Sequence, residues 1–303
     1  MKVHVGPVAQ PELEAAVVAA GAELSSAADA SALIWFGGSP EQFAELDHPG
    51  LEWVQLPAAG IESWVSAGAL RDGVTFTSAV GTYARTVAEH TLGLVLAGAR
   101  QLHQVARASS WSPPQGMSSV FGCTVGIIGA GGIGRALIEL LRPFGVRVLA
   151  VNRSGRPVHG ATTTWRSDDA AGVRELLAAS DFVVVAAPAT AETAQLIDAD
   201  ALARMKRSAW LVNVARGSLV DTEALVAALD SGRIGGAALD VTDPEPLPEG
   251  HPLFQHPRAI ISPHTANPKS LQVPALASRV EENVRRRLAG EPLLGVVDRV
   301  AGY

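Results

Sequence analysis

Short apolar runs alternate along the chain with segments rich in Ala and Leu whose apolar positions recur at a helical period. In the first part of the chain the runs predict strands near Val3–Val5, Ala32–Phe36, Trp53–Leu56 and Val74–Thr77. A helix is predicted over Pro11–Ala20, because Pro11 suits a first helical turn and Gly21 follows the last one. Strands alternating with helices are typical of an α/β protein with a parallel sheet.

The alternation becomes more regular after one long helix that is predicted from about Tyr83 to Ala108. Six further strands are predicted at Val125–Ile128, Val146–Val151, Phe182–Ala187, Trp210–Val214, Ala237–Val241 and Ile260–Ser262. Helices are predicted at Ile133–Leu141, Val173–Ala179, Ala199–Met205, Thr222–Leu229 and about Leu271–Leu288. Six strands joined by crossover helices form a doubly wound sheet.

Composition narrows the class of protein. The 303 residues, 48% of them hydrophobic and 18% charged, are enough for two compact domains. The net charge of -6 gives no basic face for nucleic acid or anionic lipid. The single Cys123 excludes an intrachain disulfide and a cysteine-rich metal site. The uncharged stretch from Ala108 to Gly134 contains a Pro-Pro pair and is therefore not expected to form a membrane-spanning helix. We expect a cytoplasmic protein without membrane, nucleic-acid or metal partners.

The segment Val125–Gly134 has the order strand, G-x-G-x-x-G, helix. Gly129 permits a tight turn, Gly131 permits close approach of a pyrophosphate, and Gly134 allows the helix to pack on the strand. The turn residues between them, Ala130, Gly132 and Ile133, complete the predicted phosphate site. The alternative is a tight turn that binds nothing, but the repeated strand–helix units around it favour a dinucleotide cofactor.

The next predicted strand ends in Asn152, Arg153 and Ser154 rather than in an acidic residue. A carboxylate at this point holds the adenosine 2′-hydroxyl and repels a 2′-phosphate, whereas Arg153 and Ser154 offer hydrogen-bond donors to a phosphate. NADP is therefore predicted over NAD, with NAD still possible. The alternative is a solvated turn. Four more residues at strand ends complete the candidate cofactor contacts: Pro188, Thr193, Val214 and Ala215.

Three consecutive strands each lead to one ionisable residue, namely Arg216, Glu245 and His264. In a parallel sheet these residues lie at the same edge, where the Arg can bind a carboxylate, the His can move a proton and the Glu can orient the His. Each residue has another interpretation: a surface pair of Arg216 with Asp221, a loop acid and a loop histidine. Their joint placement favours a reaction site. The remaining histidines of this region are interpreted as structural (His90, His103) or as loop residues (His251, His256).

These motifs resemble those of the NAD(P)-dependent D-isomer-specific 2-hydroxyacid dehydrogenases. The resemblance covers nearly the whole chain and rests on four segments: Val125–Gly134, Leu211–Asp221, Gly236–Val241 with Pro244–Pro246, and Ser262–His264. It implies that Arg216, Glu245 and His264 are catalytic and that Asp240 holds the nicotinamide carboxamide.

The resemblance also implies a domain organisation. A doubly wound Rossmann dinucleotide-binding domain (93–271) is inserted in a smaller flavodoxin-like α/β substrate domain (1–92 plus 272–303). Pro57–Ile61 resembles the loop whose backbone N–H groups, here those of Ala59 and Gly60, bind the substrate carboxylate together with Arg216 and His264. Val87–His90 resembles the start of an interdomain helix that contributes to a homodimer in relatives.

The implied reaction is reduction of a small 2-oxo acid to a D-2-hydroxy acid, of the glyoxylate or hydroxypyruvate type. A phosphoglycerate dehydrogenase is the alternative within enzymes, but the flanks of Ala58–Ile61 offer Glu52 and Glu62, with Arg71 farther away. Two further interpretations are a dinucleotide-sensing binding protein and an enzyme that acts on alcohols or aldehydes. Asn152–Arg153 departs from the acid of NAD-preferring members, and Tyr83–Arg85 matches no one substrate.

Overall fold

The computed structural model describes residues 1–299. Its strands, in chain order, are β1 (Lys2–Pro7), β2 (Glu23–Leu24), β3 (Ala32–Phe36), β4 (Trp53–Gln55), β5 (Thr75–Thr77), β6 (Thr124–Ile128), β7 (Arg147–Asn152), β8 (Thr163–Arg166), β9 (Phe182–Val185), β10 (Trp210–Asn213), β11 (Gly236–Leu239) and β12 (Ala259–Ile261). Its α-helices are α1 (Pro11–Ala19), α2 (Phe43–Leu46), α3 (Glu62–Ser66), α4 (Ala84–Ala99), α5 (Leu102–Arg107), α6 (Gly132–Leu141), α7 (Ala170–Ala179), α8 (Ala199–Arg204), α9 (Thr222–Asp230), α10 (Pro252–Gln255) and α11 (Lys269–Ala289).

The chain forms two compact units. Residues 84–266 form the larger unit, and the residues described on either side of them form the smaller one. The divisions lie before α4 and before α11, a few residues ahead of the domain boundaries expected at 92 and 271. The difference has a packing reason: α4 packs with α6, β10 and β11 of the larger unit, while α11 packs along α1 of the smaller unit.

The smaller unit contains a five-stranded sheet in the order β2-β1-β3-β4-β5, with every neighbouring pair parallel. One face is covered by an aromatic cluster in which the rings of Trp35 and Trp64 meet edge to face at 5.2 Å, beside Phe43 and Phe76. On α11, the buried Asn283 donates from Nδ2 to Gln55 Oε1 at 2.8 Å. Burial of an amide is costly unless it is hydrogen-bonded, so this contact fixes how α11 sits on the sheet.

The larger unit contains a seven-stranded parallel sheet in the order β12-β11-β10-β9-β6-β7-β8. The order reverses between β6 and β9, where one half of a doubly wound sheet meets the other. Its central strands are buried on both faces and are rich in Val, Ile, Leu and Ala, as in Phe182–Val185. The expected α/β class and doubly wound sheet are confirmed.

Two expectations about elements were wrong. The helix expected from about Tyr83 to Ala108 is broken between α4 and α5, because Gln101 has a left-handed backbone (φ 51). The sheet of the larger unit has a seventh strand, β8, which the six-strand expectation missed. Its sequence, Thr-Thr-Trp-Arg, is a short polar stretch that pairs at the sheet edge with β7. Among the described residues, no helix has the length and apolar character needed to cross a membrane.

Candidate active site

His264 and Glu245 form a close pair at the carboxyl edge of the larger sheet. His264 Nδ1 lies 2.6 Å from Glu245 Oε1, and the two side chains are about half exposed. They follow β12 and β11, which are neighbours in the sheet. An ionised carboxylate only accepts, so Nδ1 carries the hydrogen of this bond and Nε2 is left for other chemistry. This contact can hold the ring of His264 in one orientation, the role predicted for Glu245.

The loop that carries His264 is organised by Asp240, at the end of β11. Ser262 Oγ donates to Asp240 Oδ1 at 2.6 Å, and the backbone N–H groups of Thr265 and Ala266 donate to the same carboxylate at 2.9 and 3.1 Å. The N–H of His264 donates to the Asp240 carbonyl at 2.8 Å. His264 has a left-handed backbone, φ 52, which is rare for a residue with a side chain and persists only where surrounding contacts impose it.

Burial and hydrogen bonding act in opposite directions on Asp240. Burial alone raises the pKa of this carboxyl, since it disfavours the charged form. Hydrogen bonds from His90 and Ser262, with those from the N–H groups of Thr265 and Ala266, outweigh burial and lower the pKa to about 2. Asp240 is therefore ionised near neutral pH.

Because the pKa of Asp240 is lowered on folding, its contribution to stability is complete above about pH 4 and is lost as the pH falls toward 2. A shift of this size corresponds to about 2 kcal/mol. We expect the free energy of unfolding in guanidinium chloride to fall between pH 7 and acid pH by about that much less in Asp240→Asn than in the unmodified protein. Asp200→Asn, at an exposed ion pair with Arg204, is the matched control. An equal acid dependence in all three proteins would contradict the assignment.

Arg216 lies just past β10, on a turn that the sequence holds rigidly. The buried Asn213 donates from Nδ2 to the Arg216 carbonyl at 2.8 Å and accepts the N–H of Ala215 at 3.1 Å. The guanidinium donates from Nη1 to the Ala215 carbonyl at 2.8 Å. A Cβ at Gly217 would lie 1.9 Å from the Thr242 carbonyl oxygen, so only glycine lets this turn pass the segment that leads to Glu245.

The turn after β6 has the features that a pyrophosphate needs. Gly129 has φ 97, and a Cβ there would lie 2.3 Å from the Ala187 nitrogen, whereas a Cβ at Gly131 would meet nothing within 4 Å. The helix α6 begins at Gly132 without a side-chain cap, and in the described chain the N–H groups of Gly132, Ile133 and Gly134 donate to no acceptor. Open space above unpaired N–H groups at a helix N-terminus suits an anion. The turn after β6 and the start of α6 therefore fit the pyrophosphate of a dinucleotide.

The turn after β7 is stabilised by hydrogen bonds between its own residues. Asn152 Nδ2 donates to the Arg156 carbonyl at 2.9 Å, and Ser154 Oγ donates to Asn152 Oδ1 at 3.2 Å. The side chains of Asn152 and Ser154 thus shape the turn, and Arg153 is exposed on it. Farther along the same edge, after β9, Thr193 Oγ1 donates to the Pro188 carbonyl at 2.8 Å.

All the predicted cofactor and catalytic residues lie at or beyond the carboxyl ends of strands in the larger sheet, which gathers them at one edge. Val214 and Ala215 are buried there, at the end of β10. The predicted substrate residues Ala59 and Gly60 belong to the smaller unit, on the loop after β4.

That loop is anchored within the smaller unit. The N–H of Ala79 donates to the Ala58 carbonyl at 2.8 Å, and Tyr83 Oη donates to the Pro57 carbonyl at 2.5 Å. Among the described residues the N–H groups of Ala59 and Gly60 have no acceptor. Two backbone donors are therefore available for an anion.

Sequence reasoning missed two residues of this region. His90 was interpreted as structural and Ser262 as the end of a strand, but His90 Nε2 lies 3.0 Å from Ser262 Oγ and 3.3 Å from Asp240 Oδ1. Nothing in the local pattern around His90 signals a contact with residues 150 and more positions away. The one general hint is a polar residue on the inner side of a helix that packs on a site.

A doubly wound sheet with an open glycine-rich turn and a histidine–carboxylate pair is typical of a dinucleotide-dependent oxidoreductase. The family model for the D-isomer specific 2-hydroxyacid dehydrogenase NAD binding domain matches residues 92–266. The match covers more than half of the chain, so the protein belongs to the D-isomer specific 2-hydroxyacid dehydrogenase family. It is an NAD(P)-dependent dehydrogenase that acts on CH–OH donors, as the sequence predicted.

Individual relatives agree with this membership. An uncharacterized protein in the proB 3′ region of Corynebacterium melassecola is 44% identical over 89% of each chain. A glyoxylate reductase of Thermofilum pendens is 34% identical over 80% of this chain and 74% of its own. A D-3-phosphoglycerate dehydrogenase of Mycobacterium leprae is also 34% identical, but over only 46% of its own length.

Among solved structures, a D-isomer specific 2-hydroxyacid dehydrogenase of Xanthobacter autotrophicus Py2, in complex with NADPH and MES, is similar in fold. Its TM-score is 0.85 at 30% identity, with 100% of this chain and 99% of that chain covered. The likeness confirms the expected α/β fold class, with two parallel sheets in one chain, as that of this family.

Proposed function

We propose that the protein reduces a small, unphosphorylated 2-oxo acid of the glyoxylate or hydroxypyruvate type to the D-2-hydroxy acid, with NADPH as the preferred cofactor. The observation that carries the proposal is the 2.6 Å contact of His264 Nδ1 with Glu245 Oε1. These residues follow β12 and β11, and β11 is the neighbour of β10, which leads to Arg216. The similarity to a glyoxylate reductase and to an enzyme crystallised with NADPH supports it.

In this proposal His264 gives a proton from Nε2 to the 2-oxo oxygen. Glu245 accepts the Nδ1 hydrogen, keeps the ring oriented and stabilises the imidazolium. Arg216 binds the substrate carboxylate and polarises the 2-oxo group. The N–H groups of Ala59 and Gly60 are the donors that the smaller unit offers to a carboxylate. The nicotinamide, held in part by Asp240, would supply the hydride when bound. Reduction then needs protonated His264, so its rate falls as the pH rises.

Initial rates with NADPH and NADH against glyoxylate, hydroxypyruvate, pyruvate and phosphohydroxypyruvate test the proposal. We expect rapid oxidation of NADPH with glyoxylate or hydroxypyruvate. Tight cofactor binding without turnover of any of the four acids would replace the proposal with a dinucleotide-sensing protein.

The carboxyl-edge loops of the smaller unit favour an unphosphorylated substrate over a phosphorylated one. The four segments that follow β1, β3, β4 and β5 (8–10, 37–39, 57–61 and 78–83) contain no charged residue. A phosphate group is normally bound by Arg, Lys or helix N-termini. Faster turnover of phosphohydroxypyruvate than of hydroxypyruvate would favour the phosphoglycerate dehydrogenase alternative, which the similarity to such an enzyme keeps open.

The preference for NADPH is assigned to Arg153, whose guanidinium can bind the 2′-phosphate through two parallel hydrogen bonds. Loss of such bonds to a charged group corresponds to about a 10- to 100-fold loss of affinity. We expect Arg153→Ala to raise the KM for NADPH by about that factor and to leave the KM for NADH unchanged. Arg147→Ala, at the opposite end of β7, is the control. A uniform change for both cofactors would contradict this role.

We also propose that the protein is a homodimer. The segment from α5 to β6 exposes large apolar side chains: Trp111 fully, Phe121 by 68%, Leu102 by 51% and Val105 by 48%. Several exposed apolar side chains in one segment are a candidate association site. We expect sedimentation velocity to show a dimer and Trp111→Asp with Phe121→Asp to convert it to a monomer, whereas Val65→Asp on α3 does not. A monomer for the unmodified protein would refute the proposal.

A further inference from the structure

Three parts of the larger unit converge on the Asp240 carboxylate. Two of them, Ser262 and the N–H groups of Thr265 and Ala266, belong to the segment that carries His264. The third is His90 on α4, whose Nε2 lies 3.3 Å from Asp240 Oδ1. His90 is the one side chain of this group that comes from outside the catalytic segment, and it is half-buried.

The hydrogen bonds around Ser262 have one consistent direction. The hydroxyl has a single hydrogen, and the 2.6 Å contact with an ionised carboxylate uses it. Ser262 Oγ therefore accepts from His90, whose Nε2 lies 3.0 Å away and must carry a hydrogen. The result is a chain of donors from His90 through Ser262 to Asp240, in which each bond strengthens the next.

This chain bears on the conformation of His264. Asp240 is 2% exposed, and a carboxylate so deeply buried is costly unless donors surround it. Without His90 and Ser262, Oδ1 keeps only the N–H of Thr265. The same residue, Asp240, accepts the N–H of His264 through its carbonyl. A displaced Asp240 would thus release the left-handed backbone of His264 that aims the imidazole at Glu245.

We propose that His90 and Ser262 are positioning residues, which hold Asp240 and through it the segment 262–266 in the conformation that pairs His264 with Glu245. The inference rests on the proposed function for its kinetic consequences, while its structural content stands on the contacts alone. His90 touches none of the reacting groups and acts through Ser262 and Asp240.

The test uses the full-length protein and four variants. His90→Leu removes the donor at similar volume, His90→Gln keeps an N–H donor near the position of Nε2, and Ser262→Ala breaks the chain at its middle. His103→Leu removes a histidine whose Nε2 contacts the Pro257 carbonyl at 2.9 Å instead. With the best acid of the panel, we expect kcat to fall about tenfold in His90→Leu and Ser262→Ala, with KM changed less than about twofold. His90→Gln should keep most of the activity.

The pH profile separates positioning from general structural support. If the two substitutions loosen the contact between His264 and Glu245, the His264 imidazolium is less favoured. The fall of kcat with rising pH should therefore begin at lower pH in His90→Leu and Ser262→Ala. A merely structural His90 would lower the Tm of both His90 variants without moving the pH profile. Equal activity of His90→Gln and His90→Leu, or an unmoved profile, overturns the proposal.

A readout without turnover keeps the inference distinct from the proposed function. In protein labelled at histidine Cε1, the His264 resonance, identified by its loss in His264→Gln, is titrated by NMR. We expect its midpoint at lower pH in His90→Leu and Ser262→Ala than in the unmodified protein and in His103→Leu. A shifted midpoint in a protein that reduces none of the acids refutes the function and keeps the positioning role. An unshifted midpoint in an active enzyme refutes the positioning role alone.

Discussion

Replacement of His264 by alanine is expected to lower kcat for the 2-oxo acid about a thousandfold or more, since a positioned general acid contributes up to about four orders of magnitude. The imidazole is the group whose Nε2 is left available after Nδ1 binds Glu245 at 2.6 Å. In the proposed mechanism its removal takes away the proton donor, and it leaves the glycine-rich turn after β6 untouched. The dissociation constant for NADPH, measured by fluorescence titration, should therefore stay within about threefold of its original value.

Two controls give this experiment its meaning. His251→Ala removes a histidine that caps α10 by accepting the N–H of Leu253, and its kcat should be unchanged. Glu245→Gln keeps the size of the partner and removes its charge. Its kcat should be lowered less than that of His264→Ala, and it should decrease more steeply with rising pH than the kcat of the unmodified enzyme. A His264→Ala enzyme with more than a tenth of the original kcat would show that another group supplies the proton. Loss of NADPH affinity instead would show that His264 is structural.

The gathering of site residues at one edge was predictable because parallel strands impose it. Once β6, β10, β11 and β12 are recognised as apolar runs joined by crossover helices, the residues after each run must lie at the same edge of the sheet. The glycine-rich turn was predictable for a related reason. Gly129 and Gly217 have no room for a side chain, and a backbone approach this close requires glycine, which the sequence shows directly.

What the sequence left open depends on contacts between distant residues. The bond from Tyr83 to Pro57 joins a helix start to a loop, and the contact of His90 with Ser262 spans 172 positions. Neither has a local signature, because each is set by how whole helices pack on a sheet. The edge strand β8 was missed for a local reason. It lies at a half-exposed edge of the sheet, so it lacks the apolar run that marks a buried strand.

The role of Arg216 gives the second large expected effect. Its guanidinium is oriented by the Ala215 carbonyl at 2.8 Å and carried by a turn that Asn213 braces, so it offers a preorganised fork for a carboxylate. We expect Arg216→Gln to raise KM for the 2-oxo acid about a hundredfold and to lower kcat as well, because in the proposed mechanism the same group polarises the 2-oxo oxygen. Arg216→Lys keeps the charge but not the fork, and it should recover only part of the loss.

The comparison of glyoxylate with methylglyoxal, which has no carboxylate, isolates that interaction. If Arg216 binds the carboxylate, Arg216→Gln loses most of its kcat/KM with glyoxylate and much less with methylglyoxal. Arg204→Gln, which breaks an exposed ion pair with Asp200 on α8, should leave both unchanged. An equal loss with the two substrates would assign Arg216 to the oxo group alone. A KM for glyoxylate that does not respond to Arg216→Gln would mean that the enzyme acts on an alcohol or aldehyde and that the acid of the proposal is not its substrate.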